Sequence, residues 1–127
     1  MEVPNKTSVV KTNPNSPQGV IGFAPELISF IQSGKKTLTY RLGDKYSYLK
    51  PGDQIELREY GTEGLVSRAE VRVVKELSFA ELPVEVEGHE SYRDKEHQRE
   101  VYNGYYKYTG RIIQDDDLFL MIGFRVG

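Results

Sequence analysis

An almost continuous apolar run, from Leu118 to Val126, leaves few options for the fold of this chain. Strands with one solvated face alternate apolar and polar residues, and because this run does not alternate, both of its faces are expected to be covered. The run is also far shorter than the roughly 20 residues that a helix needs to cross a bilayer. It therefore predicts a strand that is buried on both sides within a sheet.

The remaining predicted elements are short. Alternation of apolar and polar residues indicates strands at about residues 37–41, 53–60 and 65–74. Helical spacing and capping patterns indicate helical segments, and these lie at about residues 25–34, 78–81 and 91–106. Because helix-bearing connections separate the strands and no repeat is visible, we expect an α+β fold built on a small, closed, mixed β structure.

The first 22 residues have a different character from the rest of the chain. They contain Pro4, Pro14 and Pro17 among small polar residues and few large apolar ones. Such a composition cannot bury enough apolar surface to order itself. We therefore predict a flexible arm at residues 1–22 and a single domain at residues 23–127, although Val20 and Ile21 leave open the docking of the arm on a sheet edge.

Composition excludes several classes of site and partner. The chain of 127 residues contains no cysteine, which rules out thiolate nucleophiles and zinc–sulfur sites. A net charge of −2 argues against a non-specific nucleic-acid coat and favours a small ligand over long RNA. Because neither a signal peptide nor a membrane segment is visible, we expect a cytoplasmic protein with no membrane partner.

Positive charge is concentrated in one segment. Between Gly34 and Lys50 there are five basic residues and one acidic residue. Alternation along the predicted strand divides its side chains between two faces, with Thr37, Thr39 and Arg41 on one and Leu38, Tyr40 and Leu42 on the other. Two hydroxyls and a guanidinium on one face, beside two lysines, can bind an anion or activate a nucleophile.

Five short motifs follow one another in a recognisable order. They are Gly-Lys-Lys-Thr-Leu-Thr-Tyr-Arg at residues 34–41, Leu-Lys-Pro-Gly-Asp at 49–53, Ser-Phe-Ala-Glu-Leu at 78–82, Glu-Gly at 87–88, and Asp-Leu-Phe-Leu-Met-Ile-Gly-Phe at 117–124. This order resembles the ASCH (activating-signal-cointegrator homology) domain over roughly residues 23–126. The resemblance implies a PUA-like closed β-barrel with short flanking helices.

Some small bacterial members of that family hydrolyse N4-acetylcytidine with a lysine, a threonine and a glutamate. Carried over to this chain, the resemblance places the lysine at Lys36 and the threonine at Thr39, with Arg41 nearby. For the glutamate it points to Glu87, whereas a different gap after Leu82 would select Glu90. The implied function is a small amidohydrolase that deacetylates a modified nucleoside.

The chemistry is coherent without the family. A threonine hydroxyl needs a base, and lysine serves only when its pKa falls well below about 10.4. Burial, Lys35 and Arg41 would all lower the pKa of Lys36, and a protonated glutamate could donate a proton to the leaving amine. The alternative is that Lys36 and Arg41 are solvated or ion-paired charges and that Thr39 is an ordinary strand residue.

Further residues are candidates for substrate binding, and they are Lys35, Thr37, Arg41, Glu90, Tyr105 and Tyr106. The tyrosines could stack an unpaired base, or they could simply pack on the barrel. The expected ligand is a nucleoside or nucleotide, or single-stranded or structured RNA, and no DNA is expected. The alternative to an enzyme is thus a non-catalytic RNA- or nucleotide-binding ASCH module.

No metal site or cofactor is predicted. His89 and His97 occur without an HExxH motif or a cysteine, which disfavours zinc. The three acids Asp115–Asp117 precede a strand, where such runs usually form a solvated turn.

Overall fold

A computed structural model describes residues 17–127 of the chain. Five strands lie within these residues, and they are β1 Gly19–Phe23, β2 Leu38–Leu42, β3 Gln54–Glu59, β4 Leu65–Ser78 and β5 Leu118–Val126. The same part of the chain contains two α-helices, α1 Ile28–Gln32 and α2 Lys95–Tyr105. Single 3₁₀ turns lie at Pro25–Leu27, Phe79–Glu81 and Lys107–Thr109.

The strands form one mixed sheet in the order β1-β3-β4-β5-β2. β1 runs parallel to β3, and the other neighbouring pairs are antiparallel. No ladder joins β1 to β2 within residues 17–127, so the barrel is open and the predicted closed barrel is wrong. A side chain links the two edges instead, because the Arg41 guanidinium on β2 donates to the Gly22 carbonyl on β1 at 2.8 Å.

The last strand is covered on both faces, as its composition predicts. Leu120, Ile122 and Phe124 belong to a core cluster on one face of the sheet, together with Ile21 and Ile55. Phe119 belongs to a second cluster, in which Tyr102 of α2 packs against the opposite face. One strand therefore serves two hydrophobic layers, which explains why its residues do not alternate in polarity.

The boundary predicted at residue 22 falls inside a strand. Residues 19–23 are an integral edge strand, with Ile21 and Phe23 buried in the core. Apolar residues at alternate positions face the core here, which offsets the cost of ordering a glycine-containing strand. The rest of the predicted arm, residues 1–16, lies outside the described residues.

Helix α2 begins later than the sequence pattern predicts. Asp94 has an extended backbone with φ of −164°, and its side chain accepts the His97 N–H at 2.8 Å, so Asp94 is the N-cap. The preceding segment is held away from helical geometry because the Tyr92 N–H donates to the Val84 carbonyl at 2.8 Å. The residues from 91 to 94 therefore form the approach to the helix.

The other predicted boundaries are close to the observed ones. The capping pattern at Ser78 is confirmed, since its backbone N–H donates to the Glu81 carboxylate at 2.7 Å. β4 is longer than predicted because it continues to pair with β5 as far as Ser78 opposite Leu118. Within residues 17–127, no helix has the length and apolar character needed to span a membrane.

Candidate active site

A cavity of about 380 Å³ lies beside the opening between the edge strands β1 and β2. Aromatic side chains dominate its wall, and a lysine, a threonine, an arginine, a histidine and a glutamate contribute the polar part. The lining residues are Gly22, Phe23, Ala24, Pro25, Leu27, Lys36, Thr39, Tyr40, Arg41, Tyr60, His89, Glu90, Tyr92, Tyr102, Tyr105, Tyr106 and Tyr108. Apolar walls with a few convergent polar groups are typical of small-molecule sites.

Lys36 is the most buried charged residue of this wall, with only 2% of its surface exposed. Its ammonium donates to Glu90 Oε2 at 2.8 Å and to the Leu38 carbonyl at 3.0 Å. Burial lowers the pKa of Lys36 below its ordinary value, the Glu90 carboxylate opposes that change, and the Arg41 charge adds to it. A lysine whose charged form is disfavoured in this way can act as a base.

Thr39 and Arg41 lie on one face of β2, as alternation predicts, because they are paired with Ile122 and Leu120 of the same core cluster. Thr39 is buried, and the Arg41 guanidinium carbon lies 4.8 Å from the centroid of the Phe23 ring. Arg41 Nε is buried and has no hydrogen-bond partner within the described residues. A buried donor without a partner is costly, so this atom is suited to meet an acceptor on a ligand.

The glutamate of this site is Glu90. Glu87, which the sequence analysis preferred, is exposed and does not line the cavity. Glu90 has 28% of its side chain exposed and holds the Lys36 ammonium, which matches the alternative gap placement after Leu82. Glu87 therefore does not meet Lys36 and Thr39 at one pocket, and that expectation is wrong.

Gly88 explains why Glu90 lines the cavity and Glu87 does not. Its φ is +90°, and a Cβ built there would lie 2.2 Å from Thr37 Oγ1. Its carbonyl accepts the backbone N–H groups of Thr37 at 2.9 Å and Leu38 at 3.3 Å. Only glycine allows this approach without strain, and the turn it makes against the start of β2 leaves Glu87 outside and brings Glu90 in.

The other predicted substrate contacts divide into two groups. Lys35 and Thr37 are exposed and do not line the cavity, so the structure does not bring them to the site. Tyr105 and Tyr106 do line it. Tyr106 also packs against the sheet, as the alternative interpretation expected, because its ring contacts Phe119, and its hydroxyl accepts the Leu42 backbone N–H at 3.0 Å. Burial raises the pKa of both tyrosines, so their hydroxyls are protonated at neutral pH.

Three solved structures show what this architecture is similar to. The DUF984 protein EF3133 from Enterococcus faecalis V583 has a TM-score of 0.66 at 17% identity, over 87% of this chain and 76% of that one. An ASCH domain from Lactobacillus crispatus JV V101 has a TM-score of 0.61 at 16% identity, over 85% and 78% of the two chains. The ASCH protein from Zymomonas mobilis has a TM-score of 0.57 at 18% identity, over 84% and 65%.

This chain has the ASCH-domain fold. The motif order in the sequence predicted this fold, and the prediction is confirmed. No family model and no curated protein matches the chain. At identities below 20% the structural likeness extends to the fold, and the function must be argued from the site itself.

Sequence reasoning missed several residues at this ASCH-fold cavity, of which His89 is the most informative. The His89 ring packs against the Tyr40 ring at a tilt of 50°, with centroids 4.9 Å apart, and its Nε2 lies 3.8 Å from Glu90 Oε1. Burial lowers the pKa of His89, and the Lys36 charge lowers it further. Its position next to Glu90 was the available signal, but the sequence pattern led us to consider His89 only as a zinc ligand. Phe23, Tyr60 and Tyr92 were also missed.

The acidic turn before β5 is occupied by ion pairs. Asp115 pairs with Arg99, and Asp117 pairs with Arg111. Among residues 17–127, no three histidine or acidic side chains come together as a metal site would require. The described residues therefore hold no candidate set of metal ligands.

Proposed function

We propose that this chain is an amidohydrolase that removes an acyl group from the exocyclic amine of a pyrimidine nucleoside, with N4-acetylcytidine as the representative substrate. The observation that carries the proposal is the ion pair between buried Lys36 and partly exposed Glu90 in the same aromatic cavity as Thr39. A base, a nucleophile and an acid are the groups that cleavage of an amide requires.

The reaction proceeds in two stages. Neutral Lys36 Nζ takes the proton of Thr39 Oγ1, and the threonine oxygen bonds to the acyl carbon. The carbon–nitrogen bond then breaks, its electron pair goes to the exocyclic nitrogen, and that nitrogen takes a proton from Glu90. Water hydrolyses the resulting threonine ester, which releases the carboxylic acid and regenerates the hydroxyl.

The remaining wall supports the choice of substrate class. Tyrosine and phenylalanine rings offer faces on which a pyrimidine stacks. Arg41 Nε, which has no hydrogen-bond partner among residues 17–127, supplies a donor for a carbonyl oxygen of the base or of the acyl group. A volume of about 380 Å³ accommodates a ligand of nucleoside size rather than a long polymer.

The decisive experiment incubates the purified protein with N4-acetylcytidine and follows cytidine and acetate by mass spectrometry. Thr39→Ala, Lys36→Met and Glu90→Gln should each lower kcat/KM by ~100-fold or more. Glu87→Gln is the matched control, because it makes the same change three positions away outside the cavity, and it should stay within about twofold of wild type. A wild-type protein that releases neither product would refute the proposal.

Two exposed tyrosines favour a second candidate, a non-catalytic module that binds nucleotides or RNA. Tyr60 is 71% exposed and Tyr108 is 83% exposed, and both contribute to the cavity wall. Exposed aromatic rings at the rim of a site are suited to stacking a neighbouring base. This candidate predicts binding without turnover, with an affinity that falls in Arg41→Ala and weakens with salt.

A further inference from the structure

His89 contacts the Glu90 backbone through one ring nitrogen. Nδ1 lies 3.0 Å from the Glu90 carbonyl oxygen. A carbonyl oxygen can only accept a hydrogen bond, so Nδ1 must carry the proton. The imidazole is buried beside Lys36 and Arg41, which disfavours a second proton on the ring and lowers the pKa of His89. The neutral ring therefore presents an unprotonated Nε2.

This unprotonated nitrogen faces the free oxygen of the catalytic glutamate. Glu90 Oε2 accepts from Lys36, whereas Oε1 lies 3.8 Å from His89 Nε2. That distance is too long for a hydrogen bond, and two lone pairs face each other while Glu90 is a carboxylate. A proton on Oε1 would turn the repulsion into an O–H···N hydrogen bond.

We propose that His89 is a positioning residue that favours the transfer of a proton from Lys36 to Glu90. The transfer breaks a bond from the proton to Nζ and forms one to the carboxyl group, so no outside proton donor is needed. It produces the neutral lysine and the protonated glutamate that the reaction requires. This inference rests on the proposed function for its catalytic consequence, but the proton arrangement can be tested separately.

Every charged or titratable group known to face His89 is compatible with this role. Lys36 and Arg41, from the β2 side, oppose its protonation, and the Glu90 carboxylate favours it. Tyr40 and Tyr92 contact the ring, with centroids 4.9 Å and 6.2 Å away, and burial raises the pKa of both hydroxyls, which keeps them neutral. Two cations and one anion therefore act on the imidazole, together with its burial.

The first test is NMR of the ¹⁵N-labelled wild-type protein. His97 is an internal reference, because its Nδ1 accepts the Arg93 backbone N–H at 3.1 Å and so lacks a proton when the ring is neutral. The two histidines should therefore show opposite tautomers, Nδ1–H in His89 and Nε2–H in His97. A proton on His89 Nε2 near neutral pH would overturn the proposal.

The second test uses His89→Asn, which retains a donor for the Glu90 carbonyl and removes Nε2. At a fixed pH near neutrality, the ¹³C signal of the Glu90 carboxyl should move toward the carboxylate position. His89→Phe, which keeps a ring against Tyr40, should move it in the same direction and provides a second variant if the first does not fold. An unchanged Glu90 signal in a folded variant would overturn the proposal.

Kinetics then separate positioning from a structural role. In His89→Asn, kcat should fall by about tenfold with little change in KM, and the ascending limb of the pH profile should move to lower pH, because protonated Glu90 loses the acceptor that stabilises it. His89→Gln can place an amide oxygen where Nε2 was, so it should recover part of kcat.

A lowered melting temperature with an unmoved pH profile would contradict the proposal. Absence of turnover in wild type would refute the proposed function instead, and the NMR tests would still decide the role of His89.

Discussion

Lys36 and Glu90, 54 positions apart in the chain, form a salt bridge of 2.8 Å in which the ammonium is buried and the carboxylate reaches the cavity. Partners of this kind are interdependent, because removing one leaves a charge in a poorly solvated place. The same two residues therefore affect both the stability of the loop before β2 and the reaction proposed for the cavity.

The pair should make stability depend on pH. Because the pKa of folded Lys36 is lowered from 10.5, the unfolded chain binds more protons between the two values, and stability rises with pH across that window. Glu90→Gln removes the carboxylate that opposes the lowering of the Lys36 pKa, so the pH range between the folded and unfolded pKa values should widen. At about pH 6 the variant should be destabilised by ~1–3 kcal/mol, which is less than the loss expected when one partner of a fully buried pair is removed. Urea unfolding between about pH 6 and pH 9 measures this.

The control for that experiment is Lys36→Met combined with Glu90→Gln. The double variant has no buried ammonium, so its stability should vary less with pH than that of Glu90→Gln. Equal pH dependence in the two variants would show that Lys36 is not the titrating group.

The first described strand should contribute substantially to stability. Ile21 is fully buried, whereas its neighbour Val20 is 44% exposed. Ile21→Ala should cost ~2–5 kcal/mol because it leaves a cavity in the core, and Val20→Ala should cost ~0.5 kcal/mol. Equilibrium urea denaturation of the two variants compares adjacent positions of one strand. Similar small losses in both would mean that β1 is only loosely attached.

Gly88 should not tolerate a side chain. Gly88→Ala combines a positive φ with a contact against Thr37, so we expect a loss of ~2–4 kcal/mol. Gly104→Ala is the matched control, because this helical glycine has open space around it and alanine should stabilise it by ~0.5–1 kcal/mol. Thermal unfolding measures both changes.

Thr37→Ala provides the second step of the Gly88 test. Added to Gly88→Ala, it removes the oxygen that the new methyl group meets and should recover part of the lost stability, while the strain of the positive φ remains. If Gly88→Ala unfolded at the wild-type temperature, the close approach of the loop to β2 would be refuted.

The buried tyrosines should make the protein sensitive to alkali. Burial raises the pKa of Tyr102 above its ordinary value of 10, so above pH 10 the unfolded chain releases its proton first and stability falls as pH rises. Tyr102→Phe should make this fall shallower, whereas Tyr108→Phe, at an exposed position, serves as the control. Unfolding free energies at about pH 9 and pH 11 give one slope for each of the three proteins, wild type and the two variants. Identical slopes in all three proteins would contradict the assignment.

Local patterns in the chain were enough to predict most elements. Alternation placed Thr39 and Arg41 on one face of β2, and the missing alternation at Leu118–Val126 predicted a strand covered on both sides. The capping pattern at Ser78 was equally local. These predictions hold because each depends on side chains a few residues apart, whose relative directions follow from backbone geometry alone.

Only the folded chain decided which glutamate meets Lys36. Glu87 and Glu90 lie in a loop without periodicity, and their directions depend on how the Gly88 turn docks on the start of β2. The burial of His89 likewise depends on Tyr40, which is 49 positions away in the chain and belongs to a different element. The open barrel is a property of the whole sheet, because its closure depends on whether β1 and β2 come within hydrogen-bonding distance. Such long-range relationships arise from packing between distant segments, and no pattern of neighbouring residues encodes them.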